Sequence, residues 1–252
     1  MQATGNTMLI TGAGSGIGRA LARRFHDQGN TVVVTGRRLQ PLHDTIDGRA
    51  RMHAFALDID DPAAIAAFVP QVLAAHPDLN VLVNNAGIMR YDDLASGGDL
   101  HDAEAQVVTN LLGPIRLTNA LVGHLRARPD AAIVNVSSGL AFVPRADAAV
   151  YSATKAAVHV YTQGLRHQLA GRVRVIELVP PAIQTELTPG QSTREGYLPL
   201  DAYIDEVMTL FAAPVPDEIV VARARVQRLA EREGRFDEVF DRINAAAAAQ
   251  PR

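Results

Sequence analysis

With 252 residues, 48% of them hydrophobic and 20% charged, the chain can bury the core of one large globular domain or two small ones. The formal net charge of −3, with Lys and Arg scattered, leaves no basic stripe for nucleic acid, and the lack of cysteine excludes disulfides and thiolate metal sites. The opening "MQATGNTMLITGAG" has no basic flank, long apolar core or small-residue cleavage site, and no apolar run approaches ~18 residues, so we expect no signal peptide, no membrane span and a cytoplasmic protein.

Short apolar runs alternate with longer helical patterns. The strand candidates are 6–12 ("NTMLITG"), 31–36 ("TVVVTG"), 52–58 ("MHAFALD"), 80–87 ("NVLVNNAG"), 131–138 ("AAIVNVSS"), 173–180 ("VRVIELVP") and 218–224 ("EIVVARA"). Most lack polar alternation, as strands covered on both faces do. Amphipathic stretches at 17–28, 62–75, 101–127 and 150–170 connect them. This rhythm predicts an α/β fold, a Rossmann-type doubly wound parallel sheet of about seven strands with helices on both faces. Residues 1–252 read as a single dinucleotide-binding and catalytic domain. Residues 186–217, with four prolines and little strand character, break the rhythm and read as a substrate lid over one end of the sheet. The alanine run at 245–249 reads as a helix end or frayed tail.

"TGAGSGIG" (11–18) lies between the first strand and the first helix. Glycines 12, 14, 16 and 18 let the backbone turn tightly and approach a pyrophosphate at the helix N-terminus. The spacing is T-G-x-x-x-G-x-G, not G-x-G-x-x-G. In "VYSATKAAVHVY" (150–161), Tyr151 and Lys155 stand one helical turn apart on the same side.

The glycine pattern resembles the short-chain dehydrogenase/reductase family in its single-domain form, and the likeness runs over nearly the whole chain. "NNAG" (84–87) looks like the family motif after the fourth strand. Asn110 matches its central-helix asparagine, and Ser138 lies at its serine spacing, thirteen residues before Tyr151. Tyr151 and Lys155 match its Y-x-x-x-K, and "PPAIQT" (180–185) resembles its P-G-x-V-x-T. Pro181 stands where the family has glycine, which removes an N–H and fixes φ. "VSSGLAFVP", "VPPAIQTEL" and "PLDAYIDEVM" look like the DltE-type subgroup.

The resemblance implies a catalytic set of Asn110, Ser138, Tyr151 and Lys155. It also implies a cofactor set of Gly12, Ser15, Gly16, Ile17, Gly18, Arg37, Arg38, Asp58, Ile59, Asn85, Ala86, Gly87, Tyr151, Lys155, Pro180, Ile183 and Thr185. Tyr151 is then general acid for carbonyl reduction and general base for alcohol oxidation, and Ser138 holds the substrate oxygen. Lys155 also bonds the nicotinamide ribose, and Asn110 helps hold a water. Bringing a phenol down from about 10 towards neutrality takes roughly 3–4 kcal/mol. A cation about 4 Å away supplies on the order of 4 kcal/mol at an effective dielectric of 20, so Lys155 is expected to lower Tyr151.

Cofactor choice is read at 32–44, "VVVTGRRLQPLHD". NAD-binding chains place an acid near the end of the second strand for the ribose 2′-hydroxyl. No acid stands between Asp27 and Asp44. Arg37 and Arg38 can bind a 2′-phosphate, so NADP(H) is expected over NAD(H), with Arg37 the main contact.

The substrate pocket is expected at Ile88–Tyr91, Leu140–Arg145 and the lid residues Leu187, Tyr197, Leu198, Tyr203, Ile204, Met208 and Phe211. That lining suits a mostly apolar small molecule, with core packing the competing role for the lid residues. Arg90 and Arg145 are read as solubility arginines in preference to carboxylate contacts. His159 and His167 read as helix-surface residues, with no metal-ligand spacing. A homodimer or homotetramer is expected through 101–127 and 150–170. The alternatives are a non-catalytic dinucleotide-sensing regulator and a sugar-nucleotide epimerase or dehydratase on a related fold.

Overall fold

The structure, a computed structural model, describes residues 2–97, 99–212 and 215–249. Seven strands form one parallel sheet in the order β3-β2-β1-β4-β5-β6-β7. The chain runs β1 (Thr7–Thr11), α1 (Gly16–Asp27), β2 (Thr31–Gly36), α2 (Leu39–Ile46), β3 (Met52–Ala56), α3 (Pro62–Ala75) and β4 (Leu79–Asn84). It continues with α4 (His101–Val107), α5 (Gly113–Arg126), β5 (Ala132–Val136), α6 (Ala149–Gln168) and β6 (Arg174–Val179). It ends with α7 (Leu200–Ala212), β7 (Glu218–Val220), α8 (Arg225–Leu229) and α9 (Phe236–Ala248). Strand order reverses between β1 and β4, and ligands of open α/β sheets bind in the crevice such a reversal opens.

The continuous apolar runs are explained by burial on both faces. Met8, Ile10, Val34, Val134 and Ile176 pack with Leu21 and Phe25 of α1 and Tyr203 and Phe211 of α7. The alternate residues Leu9, Val33, Leu82 and Ile133 pack with Phe68 of α3 and Leu117 and Leu121 of α5. Side chains alternate along a strand, so both sets must be apolar. Among the described residues, no helix is long and apolar enough to cross a membrane.

Two expectations change. The 101–127 stretch is not one helix: a π-helical turn, Val108–Leu112, separates α4 from α5 and carries Asn110. Such one-turn widenings concentrate at functional sites. Within 186–217, residues 200–212 form α7, and Ala213 and Pro214 lie outside the described residues. A parallel β6–β7 pair needs a crossover, and α7 supplies it. Its apolar stripe therefore faces the core. Tyr203, Ile204, Met208 and Phe211 are buried, and Phe211 meets Phe25 edge-on at 5.3 Å. The core role, not the pocket role, holds for these four residues.

Phe211→Ala is therefore expected to cost about 3–5 kcal/mol in urea unfolding while leaving the substrate KM unchanged. A changed KM at unchanged stability would return Phe211 to the pocket.

Candidate active site

The cleft begins where β1 and β4 end side by side. The Thr11 hydroxyl accepts from the backbone N–H groups of Asn85 and Ala86, each at 3.0 Å, and donates to the Val83 carbonyl at 3.3 Å. The Asn85 side chain returns a bond to the Thr11 carbonyl at 2.9 Å. Thr11 thus ties the glycine loop to the "NNAG" segment, a role the sequence reading missed although Thr11 opens the motif. Gly12 has φ +64°, and a Cβ there would lie 2.7 Å from the Ala86 Cα, so only glycine lets the two segments touch. Ser15 makes no side-chain cap on α1, whose first turn holds no acid. The first backbone N–H groups of α1 are thus left to meet an anion.

Every expected cofactor residue except Arg38 lines this one cleft of about 400 Å³. Arg37 follows Gly36 at the end of β2, is exposed, and has no ion-pair partner among the described residues. Arg38 is the exposed N-cap residue of α2 and stands outside the lining. Asp58 also accepts from the Asp60 backbone N–H at 3.1 Å, which shapes the turn after β3.

Ser138, Tyr151 and Lys155 converge on the cleft floor, and all three are buried. Ser138 stands two residues past β5 and accepts from the Leu140 N–H at 3.1 Å. Tyr151 and Lys155 come from the first two turns of α6. Lys155 Nζ donates to the Val136 carbonyl at 2.9 Å and lies 5.6 Å from the Tyr151 ring centre. Burial pushes the Tyr151 phenol up to about 12, partly opposed by the Ser138 hydroxyl. Burial likewise pushes Lys155 down to about 8. The expected lowering of Tyr151 by its lysine is therefore reversed in sign, because both groups lose water and each resists its charged form. At neutral pH the phenol keeps its proton.

Asn110 stands one layer behind this floor. Its amide accepts from the Ile88 N–H at 2.8 Å and donates to the Ile88 carbonyl at 2.9 Å and the Thr154 hydroxyl at 3.2 Å. A Cβ on Gly87 would lie 3.1 Å from Asn110 Oδ1 and 3.6 Å from Lys155 Nζ. Gly87 thus leaves room beside both Asn110 and Lys155. Pro181 borders the cleft, and beyond it Leu198 donates to the Ala182 carbonyl at 3.0 Å while Gln184 donates to the Leu198 carbonyl at 2.9 Å. Those bonds fix the path of the chain past Pro181.

A second cavity of about 550 Å³ shares Ser138, Tyr151, Pro180 and Pro181 with the cleft. Met89, Tyr91, Leu140, Leu187 and Tyr197 wall it as expected. Val226, Ile243, Ala246 and Ala247 line it from the C-terminal helices, and the charged side chains of Arg145, Glu195, Arg223 and Arg242 also border it. Of those helices the sequence reading covers only 245–249, as a helix end or frayed tail. The spacing of Phe236, Val239, Phe240, Ile243 and Ala247 is a helical apolar stripe that could have revealed that wall. Arg145 is no solubility arginine. It is 8% exposed, forks onto Asp147 at 2.9 and 2.7 Å, and donates to the Tyr197 hydroxyl at 3.1 Å. Arg90 is half exposed, 3.7 Å from Asp102. His167 is exposed, but the His159 side chain is only 14% exposed and bonds Glu177.

The short chain dehydrogenase family profile matches residues 6–196. The uncharacterized oxidoreductase DltE of Bacillus subtilis (strain 168) is 36% identical over 249 residues, covering 97% of this chain and 98% of that protein. A short chain dehydrogenase from Burkholderia cenocepacia J2315, solved in complex with NADP, superposes with a TM-score of 0.82 at 28% identity, covering 95% of this chain and 99% of that one. The 3-ketoacyl-(acyl-carrier-protein) reductase from Brucella melitensis, complexed with NADH, gives 0.79 at 29% identity over 88% of this chain and 100% of that one. The chain belongs to the short-chain dehydrogenase/reductase family and is an NAD(P)-dependent oxidoreductase.

Proposed function

We propose that the protein interconverts a carbonyl and a secondary alcohol on a mostly apolar small molecule, with Tyr151 as general acid and base and NADP(H) preferred over NAD(H). The observation that carries this reading is the buried Tyr151 side chain with Ser138, at the floor shared by the nucleotide cleft and the second cavity. The bound nicotinamide supplies or accepts the hydride. The glycine loop, Asn85–Gly87 and Ile183–Thr185 hold the cofactor, and Lys155 holds its ribose. Ser138 donates to the substrate oxygen and keeps it within reach of the phenol. In reduction Tyr151 gives its proton to that oxygen; in oxidation it takes the proton back. The Lys155 ammonium lowers the cost of the phenolate at that moment, and Asn110 anchors the water that connects Lys155 to solvent.

Residues 186–199, which carry Leu187 and Tyr197, serve as the lid of this single catalytic domain. Val107 and Val160 are 38% and 64% exposed on α4 and α6, apolar surface that suits association into a homodimer or homotetramer. The reading carries a cytoplasmic location, where nicotinamide cofactors are plentiful.

Tyr151→Phe removes only the hydroxyl. It is expected to lower turnover of a ketone, aldehyde and secondary-alcohol panel by about 10²–10⁴-fold while NADP(H) titration shows undiminished affinity. A variant that kept the wild-type rate would end the assigned mechanism.

Relatives of this fold bind NADP in one case and NADH in another, so the preference rests on Arg37. An exposed guanidinium at the end of β2, without a carboxylate partner among the described residues, suits a 2′-phosphate. The measurement is kcat/KM with both cofactors in wild type and Arg37→Ala. We expect a wild-type preference for NADP(H) that shrinks about tenfold or more in the variant, a charge-assisted bond being worth roughly 1.5–3 kcal/mol. A wild type that favours NAD(H) would refute the preference, and so would an alanine variant with unchanged NADP(H) efficiency.

A further inference from the structure

Glu177 on β6 is 0% exposed, and the chemistry above does not use it. Its carboxylate accepts from the Ser137 hydroxyl at 2.5 Å and meets His159 Nδ1 at 2.7 Å. A buried carboxylate is tolerated only when its oxygens are satisfied, and these are held by one strand neighbour and one helix neighbour. Ser137 immediately precedes Ser138, and its backbone N–H also bonds the Leu178 carbonyl at 2.9 Å. His159 lies one turn beyond Lys155 on α6, with its ring 4.7 Å from Phe142 in the loop that follows Ser138. Gln163 meets the other ring nitrogen at 3.0 Å.

These bonds complete a clamp. The last two residues of β5 and the one after it are each tied to α6: Asn135 through Thr162 at 3.0 Å, Val136 through Lys155 at 2.9 Å, and Ser137 through Glu177 and His159. Only the last tie reaches the residue next to Ser138. His159, Glu177 and Glu218 bring possible ligand atoms within 4.8 Å of one another, the spacing of a metal site. Arg228, however, already forks onto Glu218 at 2.7 and 3.1 Å, so a guanidinium occupies the cation's role there. We infer that the buried Glu177–His159 pair is a positioning device that holds Ser138 in register with Tyr151 and Lys155. The inference rests on the proposed oxidoreductase chemistry.

The test uses the full-length protein and the carbonyl substrate on which the wild type turns over fastest. His159→Ala removes the donor from a position that tolerates truncation better than the fully buried Glu177. It is expected to lower kcat about 10- to 100-fold, the scale of a small misplacement of catalytic groups, with substrate KM and the NADP(H) dissociation constant close to wild type. His159→Asn restores an N–H near the Nδ1 position and is expected to recover most of the rate. Glu177→Ala should lose a similar factor, and the double variant no more than the worse single. A wild-type kcat in His159→Ala would overturn the inference. An asparagine variant no better than alanine, or a loss that follows the unfolded fraction, would overturn it as well. A wild type inactive on every carbonyl and alcohol would bring down the functional reading and this inference with it, whereas an active wild type with indifferent variants sinks the inference alone.

Discussion

The arrangement turns on an ammonium held out of water. Lys155 is 4% exposed and keeps one protein hydrogen bond, to the Val136 carbonyl. Burial draws it from 10.5 down to about 8, which costs the fold roughly 3 kcal/mol at neutral pH. The sign is that of a depressed pKa: stability is greatest above the unfolded value and falls as pH drops through about 8. A core would not keep such a group for stability, since an apolar residue of similar size packs there without that cost. The same desolvation raises Tyr151 to about 12 and keeps the phenol proton available. In the proposed mechanism the site therefore rests as an acid, and the buried cation stabilises the phenolate formed when that proton leaves.

The rest of the fold sets these two side chains on the floor of the cleft. A parallel sheet brings the carboxyl ends of all its strands to one edge, where the glycine loop, "NNAG", Ser138 and the Pro180–Thr185 segment gather. Thr11 locks the first two together, and glycine at 12 and 87 permits approaches that a Cβ would block or crowd. Asn110 closes the back of the site by pairing with both backbone groups of Ile88, and the π-helical turn presents it there. The second cavity shares Tyr151 and Ser138 with the first cleft, so both open onto the same phenol.

Much of this was legible because it is periodic or local. Most of the strands stood out as Val/Ile/Leu-rich runs, since a doubly covered strand has no polar face, whereas β3, MHAFA, is only partly covered. The glycine loop and the Tyr151–Lys155 spacing are local patterns, and so was Arg37 at the end of β2. What was hidden depends on contacts between distant segments. Arg145 reads as a surface charge until Asp147 and Tyr197 surround it. His159 reads as a surface residue until Glu177 arrives from β6. Tyr203 and Phe211 read equally well as lid or core until the β6–β7 crossover sets the face of α7. The effect of Lys155 on Tyr151 was misjudged for a related reason: Coulomb attraction follows from spacing, but desolvation follows from burial, which a linear sequence does not display.

The central claim, a buried Lys155 that titrates near 8 beside a phenol that does not, is tested most directly by the pH dependence of reductive kcat/KM at saturating NADPH. The account predicts a level rate at low pH and a fall above about 8, as Lys155 loses the charge that favours the phenolate. In Lys155→Arg, whose guanidinium stays charged, the fall should be absent up to about pH 10 even if the absolute rate is lower. A wild-type rate that stays level through about pH 10 would contradict the account, since the lysine would then titrate as an ordinary solvated one.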